Sequence, residues 1–337
     1  MIWLTWRQFR IQAITGAVIL LAALAVLLVN AQTIAHLWTD SGAASCGGRT
    51  GCPGLTSFLG TVRTGTPQIL YIGGTALLYL VPPLVGVFWG APLVARELES
   101  GTHRLAWSQS VTRDRWLAVK LAMLGGAAVA FAGLLSLVVT WSSRRVDAAG
   151  TITRLSPVLF GARGVVPIGY AAFALALGVA AGVLIRRTIP AMVVTLAGYT
   201  TAVLSMNLRF RGRLIPPVPL TQRLASGNKV TNFRLTPNGR VDLVQDPGLP
   251  GAWILQNQTV TASGQVFHGP ASPQDCGEQA SAQSCLEWVH TLNLRQAILY
   301  QPAGRFWALQ WAETGVFLAL AVLLVAFSFW WLRRRSA

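Results

Sequence analysis

The side chains able to do chemistry are few, and most stand in one stretch. Between positions 95 and 120 the chain carries Arg96, Glu97, Glu99, Gly101, Thr102, His103, Arg104, Arg113, Asp114, Arg115 and Lys120. Carboxylates at 97 and 99, bracketed by guanidinium groups, are suited to ion pairing with a partner surface rather than to bond breaking. Gly101 can take the left-handed conformation that ends a helix, and Ser110 or Thr112 can cap the start of the next one. The segment therefore reads as two helix ends joined by a short amphipathic stretch.

Catalytic constellations are missing. The two lysines, Lys120 and Lys229, follow Val119 and Asn228, so no Gly-Lys-Ser/Thr phosphate loop exists and the chain cannot hydrolyse ATP by that machinery. His36, His103, His268 and His290 lie in separate segments without metal-ligand spacing, and no G-x-S-x-G nucleophile elbow occurs. We expect no enzyme, no metal and no cofactor in this chain. Four cysteines, Cys46, Cys52, Cys276 and Cys285, fall in two segments assigned below to the outer side. An even count confined to an oxidising compartment favours two local disulfides, Cys46–Cys52 and Cys276–Cys285, over metal ligation.

The elements that position these groups follow from composition. With 53% hydrophobic and 11% charged residues, the chain is too apolar for a soluble protein of 337 residues. About 20 mostly apolar residues suffice to cross a bilayer as a helix. Six such runs occur, at 13–30, 69–94, 121–141, 164–185, 189–208 and 314–332, and none contains Asp, Glu, Lys, Arg or His. Without buried ionisable residues, ion-driven transport loses weight. The first run has no small-residue cleavage site and is expected to be retained.

With the N-terminus inside, residues 1–12, 95–120, 186–188 and 333–337 hold 12 of the 27 Lys/Arg in 46 residues. The outer pieces, 31–68, 142–163 and 209–313, hold 15 in 165. That asymmetry satisfies the positive-inside rule and puts both termini in the cytoplasm. The net charge of +16 is thus a topological signal with some attraction to anionic lipid headgroups, and nucleic acid is not an expected partner.

Ile2, Trp3, Trp6 and Phe9 recur at helical spacing around Arg7 and Arg10, the pattern of an interfacial helix over 1–12, with a simple extension of the first span as the alternative. Gly86-x-x-x-Gly90 and Gly178-x-x-x-Gly182 permit close helix approach, either within the chain or between subunits. Pro82-Pro83 should bend the second span, because the missing N–H groups and ring clashes break the helical ladder. The Arg186-Arg187-Thr188 link makes the fourth and fifth spans antiparallel neighbours. Residues 209–313 read as a small extracellular domain, with a strand near Val260–Phe267, helical spacing from Ser284 to Tyr300 and a turn at Asn238-Gly239.

The 95–120 segment, with its R-E-x-E-x-G-T turn at Arg96 to Thr102, resembles the cytoplasmic loop of ABC-2 family exporter permeases, where an Arg-Glu pair and a Gly-Thr precede a coupling helix. The whole plan is similar: an all-α membrane protein of six transmembrane helices, an N-terminal interfacial helix, a coupling helix after the second span and a small mixed outer domain before the sixth. Gln301-Pro302-Ala303-Gly304-Arg305-Phe306-Trp307 resembles the entry to the last span in actinobacterial drug-resistance-type permeases. The resemblance implies a transmembrane permease subunit that dimerises, binds two copies of a separate ATPase holding ATP and Mg, and exports a hydrophobic or amphipathic compound such as a drug, antibiotic or lipid. Arg96, Glu97, Glu99, Gly101, Thr102, Arg104 and Arg113 would couple to the ATPase. Phe88 and Trp89 would face the substrate pathway, as the resemblance implies, and Thr195, Tyr199, Ser205 and Met206 of the fifth span supply polar and soft groups that could line it. Two other classes compete: a non-transporting membrane sensor or immunity protein with a ligand-binding outer domain, and a membrane enzyme. An adjacent P-loop ATPase gene discriminates the first reading from the others.

Overall fold

The computed structural model describes residues 2–46, 52–101, 112–149, 153–223, 230–235, 241–267, 284, 287–288 and 291–335. Its first compact unit comprises residues 1–214 and 307–337. Among the described residues six helices are long and apolar enough to cross a membrane. We label them α1 (Ile2–Asp40), α3 (Thr66–Ser100), α4 (Arg113–Ala149), α6 (Val166–Ile185), α7 (Thr188–Leu214) and α8 (Phe306–Arg335). Two short helices, α2 (Pro53–Thr64) and α5 (Pro157–Phe160), lie between α1 and α3 and between α4 and α6.

The helices outrun the apolar stretches from which they were inferred. Residues 2–12 form the opening turns of α1 and run without a break into the first span, so no separate interfacial helix is present there. The indole-bearing positions carry straight on because no Gly or Pro interrupts Ile2 to Thr15. The fifth span runs to Leu214 and the sixth begins at Phe306, which takes Arg211 and Glu313 out of the loop where hydropathy put them and into helices. Hydropathy ends a span at the first charge; a helix ends only where its backbone donors and acceptors find other partners.

α6 lies at the centre, with most of its residues buried, including Tyr170, Phe173, Gly178 and Gly182. Its small residues meet α3 directly. A Cβ on Gly86 would stand 2.6 Å from the Ala174 carbonyl, one on Gly90 2.7 Å from that of Leu175, and one on Gly182 2.7 Å from that of Ala91. Gly178 faces the Gly86 carbonyl at equally short range. The two small-residue pairs therefore pack against each other within one chain. Pro82 and Pro83 sit inside α3 and withhold the donors that Leu78 and Tyr79 would otherwise receive. A π-helical turn, Gly86–Gly90, follows them. α7 carries a second one, Met206–Phe210.

The Cys46–Cys52 disulfide is present, with Cα atoms 5.9 Å apart, and ties the end of α1 to the start of α2. Around it Ile34, Ala43, Phe58, Val62 and Ala149 form a small core, with Trp38 edge-on to Phe58. Cys276 and Cys285 lie outside the described residues.

The second unit, residues 215–306, is inserted between α7 and α8. A three-stranded antiparallel sheet has the order β1 (Val218–Arg223), β5 (Arg295–Gln301), β4 (Trp253–Val260), and β2 (Val230–Leu235) pairs antiparallel with β3 (Val241–Gln245). The expected strand at 260–267 is displaced: β4 ends at Val260, and beyond a turn at Gly264 a single bridge joins Val260 to Val266. The helical spacing read up to Tyr300 gives way at Arg295 to strand. Gln296 and Ile298 are buried at a period of two, and the central position in the sheet satisfies the backbone on both sides. The Asn238-Gly239 turn lies outside the described residues, although the pairing of Leu235 with Val241 brackets it.

Candidate functional site: a braced helix end beside an apolar cavity

α3 ends at Ser100, with Gly101 in the left-handed conformation (φ 73°), and α4 begins at Arg113 after Thr112, whose hydroxyl accepts from the Arg115 amide at 3.4 Å. Both helix-end expectations hold. Thr102, His103 and Arg104 lie outside the described residues, as does the expected coupling helix.

The carboxylates beside this turn are occupied within the chain. Lys120 Nζ donates to Glu97 Oε1 at 2.5 Å and to the Leu93 carbonyl at 3.4 Å, and sits 4.5 Å from the Trp116 ring centre. The Lys120 side chain is only 4% exposed and that of Glu97 17%, so the pair is a joint between α3 and α4 rather than a free contact surface. Glu99 reaches the other way: its Oε2 accepts from the Thr188 amide at 3.0 Å and the Thr188 hydroxyl at 2.7 Å, capping α7. Arg333 at the end of α8 pairs with Asp114 at the start of α4 at 2.9 Å, with both side chains well exposed. Three contacts thus bind the ends of α3, α4, α7 and α8 on the face that bears the chain termini. Arg113 is half-buried at the start of α4. Lys120 and Thr188 were not expected at this site; a lone lysine among apolar residues 23 positions after Glu97 was the available signal.

Alongside the brace lies a cavity of about 880 Å³ lined by α1, α3, α4 and α7. Its wall is apolar, with Gly16, Ile19 and Leu20 from α1, Leu77, Val81, Leu84 and Val85 from α3, and Phe131 and Leu135 from α4. Phe88 and Trp89 sit on this wall within the π turn, and Trp89 stacks edge-on with Phe9 at 5.2 Å and Phe131 at 6.1 Å. Residues 81, 85, 88, 92, 96 and 99 follow at helical intervals, so one stripe of α3 leads from the apolar wall to Arg96 and Glu99 at the cavity's polar end, where Thr188 joins them.

The remaining pathway candidates lie elsewhere. Thr195 is fully buried and donates to its own helix at the Ala191 carbonyl, 2.7 Å away. Tyr199 is 4% exposed and packs on Tyr170 and Phe173. Met206 is buried and Ser205 half-buried at the second π turn. Ala191 and Met192 pack toward Ala91, Ala95 and Ala181, which turns the hydroxyl stripe of α7 into the bundle. Of α7, Thr188 and Met192 reach the cavity.

At the opposite end of the bundle two ion pairs are dry. Arg211 donates from Nε to Glu313 Oε2 at 2.7 Å and from Nη2 to Oε1 at 2.9 Å, and both side chains are 0% exposed. Tyr170 donates its hydroxyl to Glu313 at 2.5 Å, and Arg211 lies over the Phe160 ring. Arg163 pairs with Asp147 through Nε at 2.9 Å, while the Tyr71 hydroxyl donates to the same carboxylate at 2.6 Å. Burial works against the Arg163 charge, but the hydrogen bonds and charge of Asp147 outweigh it and hold the guanidinium above its ordinary pKa. Gln310 of α8 caps α6 by accepting from the Val165 and Val166 amides at 3.0 and 3.1 Å. Each of these carboxylates accepts three hydrogen bonds from the same chain, so they act as locks.

Six helices able to cross a membrane, with a polar turn after the second, make up the bundle among the described residues, and its sequence carries the ABC-2 membrane transporter related signature from residue 17 to residue 211. The chain belongs to the ABC-2 membrane transporter related family. The match runs from within α1 to the end of the second π turn of α7 and includes Glu97, Glu99, Lys120 and Thr188 and most of the cavity wall, but not Arg333, Thr15 or Gly16. No curated protein and no solved structure matches this ABC-2 chain. It is a multi-pass membrane protein.

Proposed function

We propose that this chain is the membrane-spanning subunit of an ATP-binding-cassette exporter. It works as a dimer with two copies of a separate ATPase, which holds ATP and Mg, and carries an amphipathic or hydrophobic compound such as a drug, antibiotic or lipid across the cell membrane. In this reading the termini-bearing face is cytoplasmic and residues 215–306 are extracellular, in agreement with the density of Arg and Lys at the former. The observation that carries it is the joint at Glu97 and Glu99, set inside the family-matched region. The end of α3 is anchored to α4 through Glu97 and to α7 through Glu99, so force applied at that end passes into α3. The same helix presents Phe88 and Trp89 to the cavity one π turn away, and a π turn is a place where a helix can change register at low cost.

The test is purification of the full chain from its native membrane, with identification of co-purifying proteins. A P-loop ATPase in comparable amount is expected, with hydrolysis stimulated by amphipathic compounds. Gly101→Val forces a β-branched residue into φ 73° and redirects the turn. It should reduce ATPase recovery and stimulation at least about tenfold while costing the bundle only the local strain of the turn, about 1–3 kcal/mol, since nothing lies within 4 Å of the added Cβ. Full recovery and stimulation with Gly101→Val, or a chain that purifies from native membranes without any ATPase, refutes the coupling role.

A further inference from the structure

The cavity beside α3 is unlike an ordinary gap between helices, because one end of it is charged. Its charged rim consists of Arg96 and Glu99, joined by Thr188, while the rest of the wall is hydrocarbon and aromatic ring apart from the Met192 thioether and Thr15, whose hydroxyl donates to the Ile11 carbonyl of its own helix. The two charges of the rim are not equivalent. Glu99 spends its carboxylate on the amide and hydroxyl of Thr188, and the amide lies at the start of α7, where unpaired backbone donors favour a negative group. Arg96 is exposed and, among the described residues, forms no ion pair and no side-chain hydrogen bond. The connection that follows α3, residues 102–111, contains no Asp or Glu that could neutralise it. Arg186 and Arg187, which immediately precede Thr188, add two more positive charges to this end of the bundle.

The wall matches the length of an amphiphile. Along the stripe from Val81 to Arg96 the helix rises about 1.5 Å per residue, which is some 22 Å and close to the reach of a long alkyl chain or a fused-ring body. Ile19, Leu84 and Phe88 on that wall are each at least 49% exposed, so the cavity is open along the side of the bundle rather than sealed. A ligand can enter it sideways with its apolar part first.

We infer that this cavity binds an amphiphile with a single anionic head group, taken from the leaflet on the termini-bearing side, with the apolar body against Leu20, Val81, Leu84 and Phe88 and the anion on Arg96. The inference rests on the exporter reading and narrows its substrate class to anionic amphiphiles. Arg96 thereby gains a role in ligand capture in place of contact with the ATPase. A guanidinium suits that role because it keeps its charge beside hydrocarbon and offers a fork of donors to phosphate, sulfate or carboxylate oxygens.

The experiment measures binding to the purified full chain in a neutral maltoside detergent by native mass spectrometry, with dodecyl phosphate, dodecylphosphocholine, dodecyltrimethylammonium and dodecanol as probes. Dodecyl phosphate should be retained at about tenfold lower concentration than the cationic probe, the scale of one charge-assisted hydrogen bond. Arg96→Gln should bring the two within about twofold of each other and leave dodecanol unchanged. Leu84→Trp, a substitution at a half-exposed position of the wall, should weaken all four probes together. Dodecyl phosphate bound equally well by Arg96→Gln, or all probes unaffected by Leu84→Trp, overturns the site. So does retention of dioleoylphosphatidylglycerol with exclusion of dodecyl phosphate, which would mark a resident lipid. Cross-linking of two chains through cysteines placed at Leu84 and Phe88 in the absence of any probe would overturn it as well, by showing that a second copy covers the wall. None of these readouts involves an ATPase, so failure here leaves the exporter reading standing, and loss of the ATPase leaves this result interpretable.

Discussion

The two ends of the bundle are held by ion pairs of opposite character. At the end away from the termini, Arg211–Glu313 and Arg163–Asp147 have side chains no more than 2% exposed, and each carboxylate also accepts from a tyrosine. At the termini-bearing end, Glu97–Lys120 is partly open and Arg333–Asp114 is open to solvent on both sides. Pairs shielded from water keep one geometry because breaking them strands a charge. Pairs in water exchange partners at little cost. Charge therefore holds the end away from the termini more tightly than the termini-bearing end.

That contrast can be broken most sharply at Arg211. Arg211→Met leaves Glu313 charged and buried and should cost about 3–5 kcal/mol, seen as a large drop in the thermal midpoint of the purified protein. The double variant Arg211→Met with Glu313→Leu removes both charges and should recover most of the loss. If the double variant melts no higher than the single one, the dry pair supports the bundle by shape rather than by charge.

The packing seam that joins the two ends comes next. Gly178→Leu would drive a side chain into the Gly86 carbonyl and the Ala91 amide, and neither backbone can retreat through the core. Overpacking of this kind costs about 1–3 kcal/mol. Gly73→Ala and Gly126→Ala, with nothing within 4 Å of the new methyl group, should be neutral in the same melting assay. Equal effects at all three positions would remove the seam from the account.

The smallest effects belong to the exposed end. Glu97→Gln keeps a hydrogen-bond acceptor for Lys120 but loses the charge, and should cost about 1–3 kcal/mol, less than Arg211→Met. Asp114→Asn, in the open pair, should leave the midpoint where it is at low and at high salt. A melting loss for Asp114→Asn as large as that for Arg211→Met would erase the distinction between the two ends.

Much of this architecture was legible in residue order. Six apolar runs located six helices, Gly101 marked the end of α3, Thr112 capped α4, and the pairing of Cys46 with Cys52 followed from their proximity. Three kinds of feature were not legible. Charges that hydropathy assigned to loops, such as Arg211 and Glu313, are tolerated in buried helices because each neutralises the other across a sequence separation of 102 positions. The hydroxyls of Thr195 and Tyr199 have the spacing of a pore lining, yet that face of α7 is the one packed on α6. The stretch before Tyr300 has helical spacing of apolar residues, but the backbone bonds offered by β1 and β4 on either side decide for a strand.

By itself the sequence determined the properties that depend on local composition: which stretches partition into lipid, where a helix can stop, where charge is dense, and which nucleotide chemistry is absent. These are settled within a window of about 20 residues, the thickness of a bilayer. Only the tertiary structure decided who meets whom. It turned Gly86 and Gly90 toward Gly178 and Gly182 of the same chain, gave Glu97 to Lys120 and Glu99 to Thr188, and left Arg96 facing an apolar cavity. Each of those outcomes is a choice among partners far apart in sequence, and it is made by the packing of whole helices, to which no single segment has access.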